Sequence, residues 1–209
     1  MDENISIDSF GRWAKIETNT LDQVVDKVLT GYTTGTIPAS KGIFTYIGKP
    51  EEEITILDFG SGVGRNAFEL SIHFKNAKIL CYDSEQMNLA ANKFAEEKYN
   101  RSASEFSNVS FTSDWEEVKK QKFDCIVAIL VFQHIKESDL TLYLKNIKNI
   151  TKKLIVFGRR LVDEREENGD MKSVWKILEK NDYKPSFCSN QEKYNESAPK
   201  DHFTCIYDF

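Results

Sequence analysis

The sequence predicts an α/β protein organised around a βαβ nucleotide-binding unit, and three observations carry that expectation. Ile54-Thr-Ile-Leu-Asp58 is a short apolar run with β-branched residues, the pattern of a buried strand. It breaks into glycines at alternating positions, Gly60, Gly62 and Gly64, and then runs into Ala67, Phe68, Leu70, Ile72 and Phe74, spaced as in a helix packed on a sheet. Lys78-Ile-Leu-Cys-Tyr-Asp83 is a second strand pattern. It ends in an acid about 20 residues past the glycines, the interval at which an acid commonly bonds ribose hydroxyls. Glycines let the backbone turn sharply and let a ligand approach without Cβ atoms in the way. The helix N-terminus beyond them offers free N–H groups and a partial positive charge.

The other elements follow in order. Leu21, Val24, Val25 and Val28 have the spacing of an amphipathic helix, and Gly31 to Pro38 is turn-rich. Glu51-Glu52-Glu53 is a solvated lead-in to the first strand. A helix after Asp83 carries Met87, Leu89 to Ala91 and Phe94, and Asn108 to Thr112 reads as a third strand. Ser113 or Asp114 then caps a helix that opens with Trp115. Phe123 to Phe132 is the most apolar stretch, apolar on both faces as in a central parallel strand. Ser138 is expected to cap a helix that buries Leu140, Leu144 and Ile147, with Tyr143 and Ile150 beside them. Lys153 to Phe157 is a fifth strand with Gly158-Arg159-Arg160 as its exit. Asp163 to Gly169 reads as a surface loop, and Asp170 as the cap of a helix through Met171, Val174, Trp175 and Leu178. Ser186 to Ser189 and the alternating His202 to Phe209 are the last two strands.

A chain of 209 residues accommodates one α/β domain with a small extra segment. Its net charge of −5 is a poor match to a general nucleic-acid binder. Cys81, Cys125, Cys188 and Cys205 form no C-x-x-C pair and read as small core residues in a reducing compartment, with no zinc site and no disulfide framework. Met1-Asp2-Glu3-Asn4 lacks the basic start of a signal peptide, and no apolar run reaches the length of a membrane span, so a cytoplasmic location is expected.

The pattern Asp58-x-Gly60-x-Gly62-x-Gly64 resembles the first motif of the class I S-adenosylmethionine-dependent methyltransferases. The likeness continues in the usual order. Asp83-Ser84-Glu85-Gln86-Met87 is similar to the second motif and Ser113-Asp114-Trp115 to the adenine-site segment. Phe123-Asp124 through Gln133-His134-Ile135 is similar to the fourth strand and its exit. Each motif alone is weak; the ordered set, over roughly residues 50 to 160, is specific. The resemblance implies a three-layer Rossmann-like sandwich: a mostly parallel seven-stranded sheet with a C-terminal antiparallel hairpin and helices on both faces. It implies S-adenosyl-L-methionine as cofactor, leaving as S-adenosyl-L-homocysteine. Asp58, Gly60, Ser61, Gly62, Gly64, Arg65, Asp83, Ser84, Met87, Ser113, Asp114, Trp115 and Ile129 would hold it. Asp114 would accept from the adenine amino group. Arg65 would lie near the cofactor's carboxylate or pair with a surface acid. Residues 1–50 would form an N-terminal helical or lid segment and 51–209 the cofactor-binding domain, within one structural domain. Trp13, Tyr32 and Thr33 are lid candidates, with Tyr32 toward the acceptor; the plain alternative is that Trp13 and Tyr32 pack on the sheet.

Two rivals remain open. Gly62-Val-Gly64-Arg-Asn-Ala67 also satisfies the relaxed dinucleotide form, which would make the chain an NAD-dependent oxidoreductase or epimerase. Asp58 weighs against this, since a carboxylate repels a pyrophosphate and suits a cationic sulfonium and amino-acid ligand. Neither Tyr99 nor Tyr143 has the Lys four residues on that such enzymes carry. The second rival is a non-catalytic partner subunit, against which the intact glycines, Asp83 and Asp114 speak.

The ligand of an open α/β sheet sits beyond the C-terminal strand ends, so polar groups there are the site candidates. His134 is the best-placed base, with Gln133 beside it; a His here also serves structurally in many relatives by bonding to backbone. Arg159 and Arg160 could clamp an acidic group on the acceptor, or one could pair with Asp163, Glu164 or Glu166. His73 reads as a surface or partly buried helix residue and His202 as a core or hairpin residue. The exit of the fourth strand lacks the Asn/Asp-Pro-Pro-Tyr/Phe signature of enzymes that methylate DNA or protein nitrogens. The expected acceptor is therefore a small molecule or sugar-like metabolite, methylated on oxygen, with no metal and no nucleic-acid partner.

Overall fold

A computed structural model of the chain describes Val25 and residues 43–159, 161–165, 171–190 and 202–209, with the backbone alone described at 159, 161–165, 171–173, 189–190 and 202. The expectations for Trp13, Tyr32, Thr33, Arg160 and Asp170 lie outside the described residues.

The apolar run after the glutamates becomes β1 (Thr55–Phe59), and β2 (Lys78–Tyr82) pairs with it in parallel, Asp58 opposite Cys81. β3 (Val109–Thr112) lies outside β2. β4 (Cys125–Ile129) lies on the other side of β1, buried at every position as its two-sided apolar pattern requires. β5 (Lys153–Arg159) runs parallel to β4. β9 (His202–Asp208) returns antiparallel to β5, and β8 (Phe187–Asn190) pairs antiparallel with β9 at the edge. The sheet order is β3-β2-β1-β4-β5-β9-β8. Chain direction through the sheet reverses between β1 and β4, and that point is where open α/β sheets form a ligand crevice.

Five helices cover the sheet: α1 (Arg65–His73), α2 (Glu85–Tyr99), α3 (Trp115–Val118), α4 (Glu137–Ile150) and α5 (Val174–Lys180), with a short helix over 43–47. Successive β1 residues feed opposite faces, as pleating demands. Ile56 joins Ile43, Phe44, Leu70 and Phe74 on one side, while Leu57 joins Ile126, Leu144, Ile147 and Leu178 on the other. Between α1 and α2 a third cluster gathers Phe68, Phe94 and Phe106 with Val63, Met87 and the helical Val25.

Four expectations are corrected. The fourth strand ends at Ile129 and not near residue 132, because Leu130 turns left-handed (φ 56°) and Phe132–His134 close a single tight helical turn. Lys136, not Ser138, holds the N-cap of α4; Ser138 lies in the first turn and its Oγ donates to Asp139. Acids at Glu137 and Asp139 favour the earlier start by facing the positive helix end. The helix expected from Asp170 starts only at Val174. Met171–Ser173 instead form β7, antiparallel to β6 (Leu161–Arg165), so part of the expected loop is strand, drawn into a ribbon beside the Phe132–His134 turn. Finally, Cys188 and Cys205 stand opposite each other on the β8–β9 ladder with Cα atoms 4.2 Å apart and form a disulfide, while Cys81 and Cys125 are buried and free. Strand register makes that pair, and no spacing rule reveals it. Among the described residues no helix is long and apolar enough to cross a membrane.

Beneath the β2 and β3 exits lies an aromatic cluster. The Tyr82 and Tyr143 hydroxyls share a hydrogen bond of 2.9 Å, and the Trp115 ring stands 5.2 Å from the first and 4.8 Å from the second. Tyr143→Phe deprives a buried hydroxyl of this bond and is expected to destabilise by about 1–3 kcal/mol, whereas Tyr82→Phe with Tyr143→Phe should lie closer to wild type. Urea unfolding of the three proteins checks the order.

Candidate active site

The β1 exit is a glycine turn in which Gly60, Gly62 and Gly64 all have positive φ (71°, 58° and 77°). Their reasons differ. A Cβ on Gly60 would lie 2.2 Å from Val131 Cγ2, and one on Gly64 would lie 3.0 Å from Phe68 and 3.2 Å from Phe111. A Cβ on Gly62 would meet nothing within 4 Å. Gly60 and Gly64 are thus glycine because protein packs against them, and Gly62 alone fronts open space. The expectation that glycine clears ground for a ligand meets protein at Gly60 and Gly64 instead. Gly64 also serves as N-cap of α1, whose first turn follows without a side-chain cap.

Asp83 shapes this turn. Its Oδ2 accepts the Gly62 N–H at 2.7 Å and its Oδ1 the Ser84 N–H at 2.7 Å, while Ser84 Oγ accepts from Met87 N to cap α2. The Asp83 N–H in turn donates to Thr112 O, which ties the β2 exit to the end of β3. Asp58 lies 1 % exposed, its carboxylate reached by the Ala67 backbone N–H and by the charge of Arg65, and the Ser61 Oγ is buried beside the Cys81 thiol. Burial first and the Asp83 charge second push the Asp58 carboxyl up to about 7, against the opposing charge of Arg65. Burial also raises Asp83, to about 6, with its N–H bonds acting the other way. Two buried acids and a hydroxyl at this turn suit a ligand with a cationic amino group. S-adenosylmethionine, with its ammonium and sulfonium, fits these residues.

Around this centre the strand exits bring in the other expected groups. Asp114 caps α3, its Oδ1 accepting from Glu116 N and Glu117 N; it and Ser113 are exposed, and Trp115 is buried with its Nε1 unpartnered. Ile129 ends β4 buried, and Met87 is buried on α2. Gln133 and His134 stand at the β4 exit, where Gln133 Nε2 donates to Leu130 O at 2.9 Å and lies 3.3 Å from His134 Nε2. Half-buried Arg65 opens α1, close enough to act electrostatically on Asp58. Arg159 ends β5 opposite His202. Tyr32 and Arg160 are outside the described residues. Among the described residues no group of three or more His, Cys, Asp or Glu could hold a metal ion. Sequence reasoning missed Val131, which meets the glycine turn at Gly60, and the left-handed Leu130 before it; nothing local marks an aliphatic pair there as part of a site. It placed Asp83 by interval but not its bond to Gly62.

Fold and strand exits together define a Rossmann-like α/β protein with two buried acids at its glycine turn. A methyltransferase domain model matches residues 57–153. Those residues form a methyltransferase domain of the class I S-adenosylmethionine-dependent type. Solved structures share the fold. A SAM-dependent methyltransferase from Aquifex aeolicus is 20 % identical over 80 % of this chain and 88 % of its own, with a TM-score of 0.56. A TehB-like SAM-dependent methyltransferase from Corynebacterium glutamicum is 14 % identical over 88 % and 92 %, with a TM-score of 0.58. An O-methyltransferase family protein from Burkholderia thailandensis is 11 % identical over 96 % and 63 %, with a TM-score of 0.64. No curated protein matches the chain by sequence.

The raised carboxyls give a pH test. Protonated Asp58 favours the folded state; that contribution is complete below the ordinary value of 3.8 and is lost as pH rises to about 7. Apo Asp58→Asn should match wild type in thermal unfolding near the ordinary carboxylate value and exceed it increasingly toward pH 8, by up to about 4 kcal/mol. The stabilising shift from S-adenosylhomocysteine should shrink in the same variant.

Proposed function

We propose that the protein transfers a methyl group from S-adenosylmethionine to oxygen on a small molecule or sugar-like metabolite. When bound, the cofactor supplies the electrophilic methyl group for an in-line displacement. The protein must align donor and acceptor and exclude water. Asp58 and Ser61 would receive the cofactor's amino-acid end over Gly62, with Asp83 near the ribose and Asp114 near the adenine.

The observation that carries the oxygen assignment is His134 beside Gln133 at the β4 exit. A hydroxyl acceptor needs a base, and imidazole titrates in the right range. The Gln133 side-chain N–H directed at Nε2 favours the tautomer whose Nε2 lone pair is available. A contact of 3.3 Å is weak enough for an acceptor hydroxyl to displace, and Nε2 then takes its proton. The β4 exit, Leu130-Val131-Phe132-Gln133, has no proline and so lacks the motif of nitrogen-methylating DNA and protein enzymes. The Burkholderia neighbour's membership of an O-methyltransferase family agrees with this reading. Residues 1–50 would serve as a lid over the cofactor, supported by Val25, which is buried in one cluster with Val63 of the glycine turn and Met87. Tyr32, Arg159 and Arg160 would meet the acceptor.

Release of S-adenosylhomocysteine over a panel of phenols, sugars and alkylamines tests the acceptor class, with hydroxyl compounds expected as substrates; turnover of amines alone would sink the oxygen assignment. With the best substrate, His134→Ala should lower kcat about 10²–10⁴-fold and abolish the acid limb of the pH profile, leaving S-adenosylhomocysteine affinity in place. An unchanged kcat would make His134 structural.

A further inference from the structure

Gln133 is 3 % exposed, and its two ends are treated differently. Nε2 donates to Leu130 O at 2.9 Å. Oε1 is buried without a partner, set against Gly158, where a Cβ would stand 3.0 Å away. Leaving a buried carbonyl unpaired is costly, so an apolar side chain would serve stability better here. The N–H end must do something an apolar residue cannot.

Its partner shows what. Leu130 is a non-glycine residue in the left-handed region (φ 56°), a conformation strained for a side chain with a Cβ. Two bonds hold it there. Its N–H donates to Phe157 O at 2.6 Å, and its carbonyl accepts from Gln133. The left-handed turn ends β4 and delivers the next residue, Val131, onto Gly60, so closely that no Cβ could come between them. Gly60 N in turn donates to Tyr82 O and begins the loop that Asp83 holds at Gly62. A continuous set of contacts therefore runs from the Gln133 amide through Leu130 and Val131 to the cofactor turn.

We propose that Gln133 is a positioning residue for the cofactor. Its amide N–H clamps the Leu130 carbonyl, the clamped turn seats Val131 on Gly60, and the seated Val131 keeps the Gly60–Gly64 loop in the shape that receives the adenosyl ligand. This role goes beyond the choice of acceptor atom and does not depend on His134 acting as a base. The Gly158 position follows from it, since a side chain there would displace the clamp.

The test is calorimetric titration of S-adenosylhomocysteine, which needs no acceptor substrate. Gln133→Met is close in shape, deletes the clamp and removes the unpaired carbonyl. The apo variant is expected to melt at or above wild type, yet to bind S-adenosylhomocysteine about tenfold more weakly. Leu130→Gly removes the strain the clamp opposes, because glycine holds positive φ unaided. Adding Gln133→Met to Leu130→Gly should then change affinity less than threefold relative to Leu130→Gly alone. Gln133→Glu, which keeps the oxygens and loses the N–H, should weaken binding as Gln133→Met does. Unchanged affinity in Gln133→Met would overturn the role, and so would a tenfold loss that persists in the Leu130→Gly background. Either result leaves the oxygen-methylation reading untouched, since that reading rests on acceptor turnover.

Discussion

The Asp83 carboxylate, buried at the end of β2, accepts the Gly62 N–H at 2.7 Å across the space between two strand exits. That bond holds the middle of the glycine turn and so defines the open ground above it. A carboxylate taken out of water costs several kcal/mol unless N–H groups replace the lost water. Asp83 accepts from two such groups, those of Gly62 and Ser84, and Asp58 is met by the Ala67 N–H. Without ligand the Asp58 carboxyl therefore carries an electrostatic penalty from burial and from the Asp83 charge, offset in part by Arg65. A ligand that brings an ammonium and a sulfonium relieves it. Preference for a cation over a pyrophosphate follows from the same electrostatics.

The turn is braced from the opposite side by hydrophobic contact. Val131 sits on Gly60, and Phe68 and Phe111 sit against Gly64, so two of the three glycines have no room for a side chain on account of the protein itself. Packed interiors tolerate no added methyl group without a shift. The β4 exit thus closes over the glycine turn through Val131 and, on the proposed function, would carry Gln133 and His134 toward the acceptor. Movement of the Leu130 turn would be felt at both, which couples cofactor binding to the placement of the candidate base.

Much of this was legible in the chain. Two-sided apolar strands, the helix after the glycines and the acid at the end of β2 are local patterns, and local patterns survive folding when the tertiary structure agrees with them. The order of motifs carried the fold class. Boundaries were less legible where a neighbour overrode propensity. Residues 130–132 continue the apolar pattern of β4, yet Leu130 turns away from the sheet because Val131 has a seat on Gly60. Met171 to Ser173 look like a helix start beside Val174, yet pair with Leu161–Arg165 as a ribbon. Cys188 and Cys205 become partners only through the register of β8 against β9.

By itself the sequence determined the kind of fold and the residue types at each strand exit, because periodicity, glycine spacing and terminal acids act over short stretches of chain. Only the tertiary structure decided what those residues do. It gave Asp83 to the Gly62 N–H, buried Asp58 beside the Asp83 charge, set Val131 on Gly60 and turned the Gln133 amide to the Leu130 carbonyl. Apart from the clamp itself, these relations join residues distant in sequence, and each depends on burial, which sets the strength of a charge or a hydrogen bond and is a property of the packed molecule.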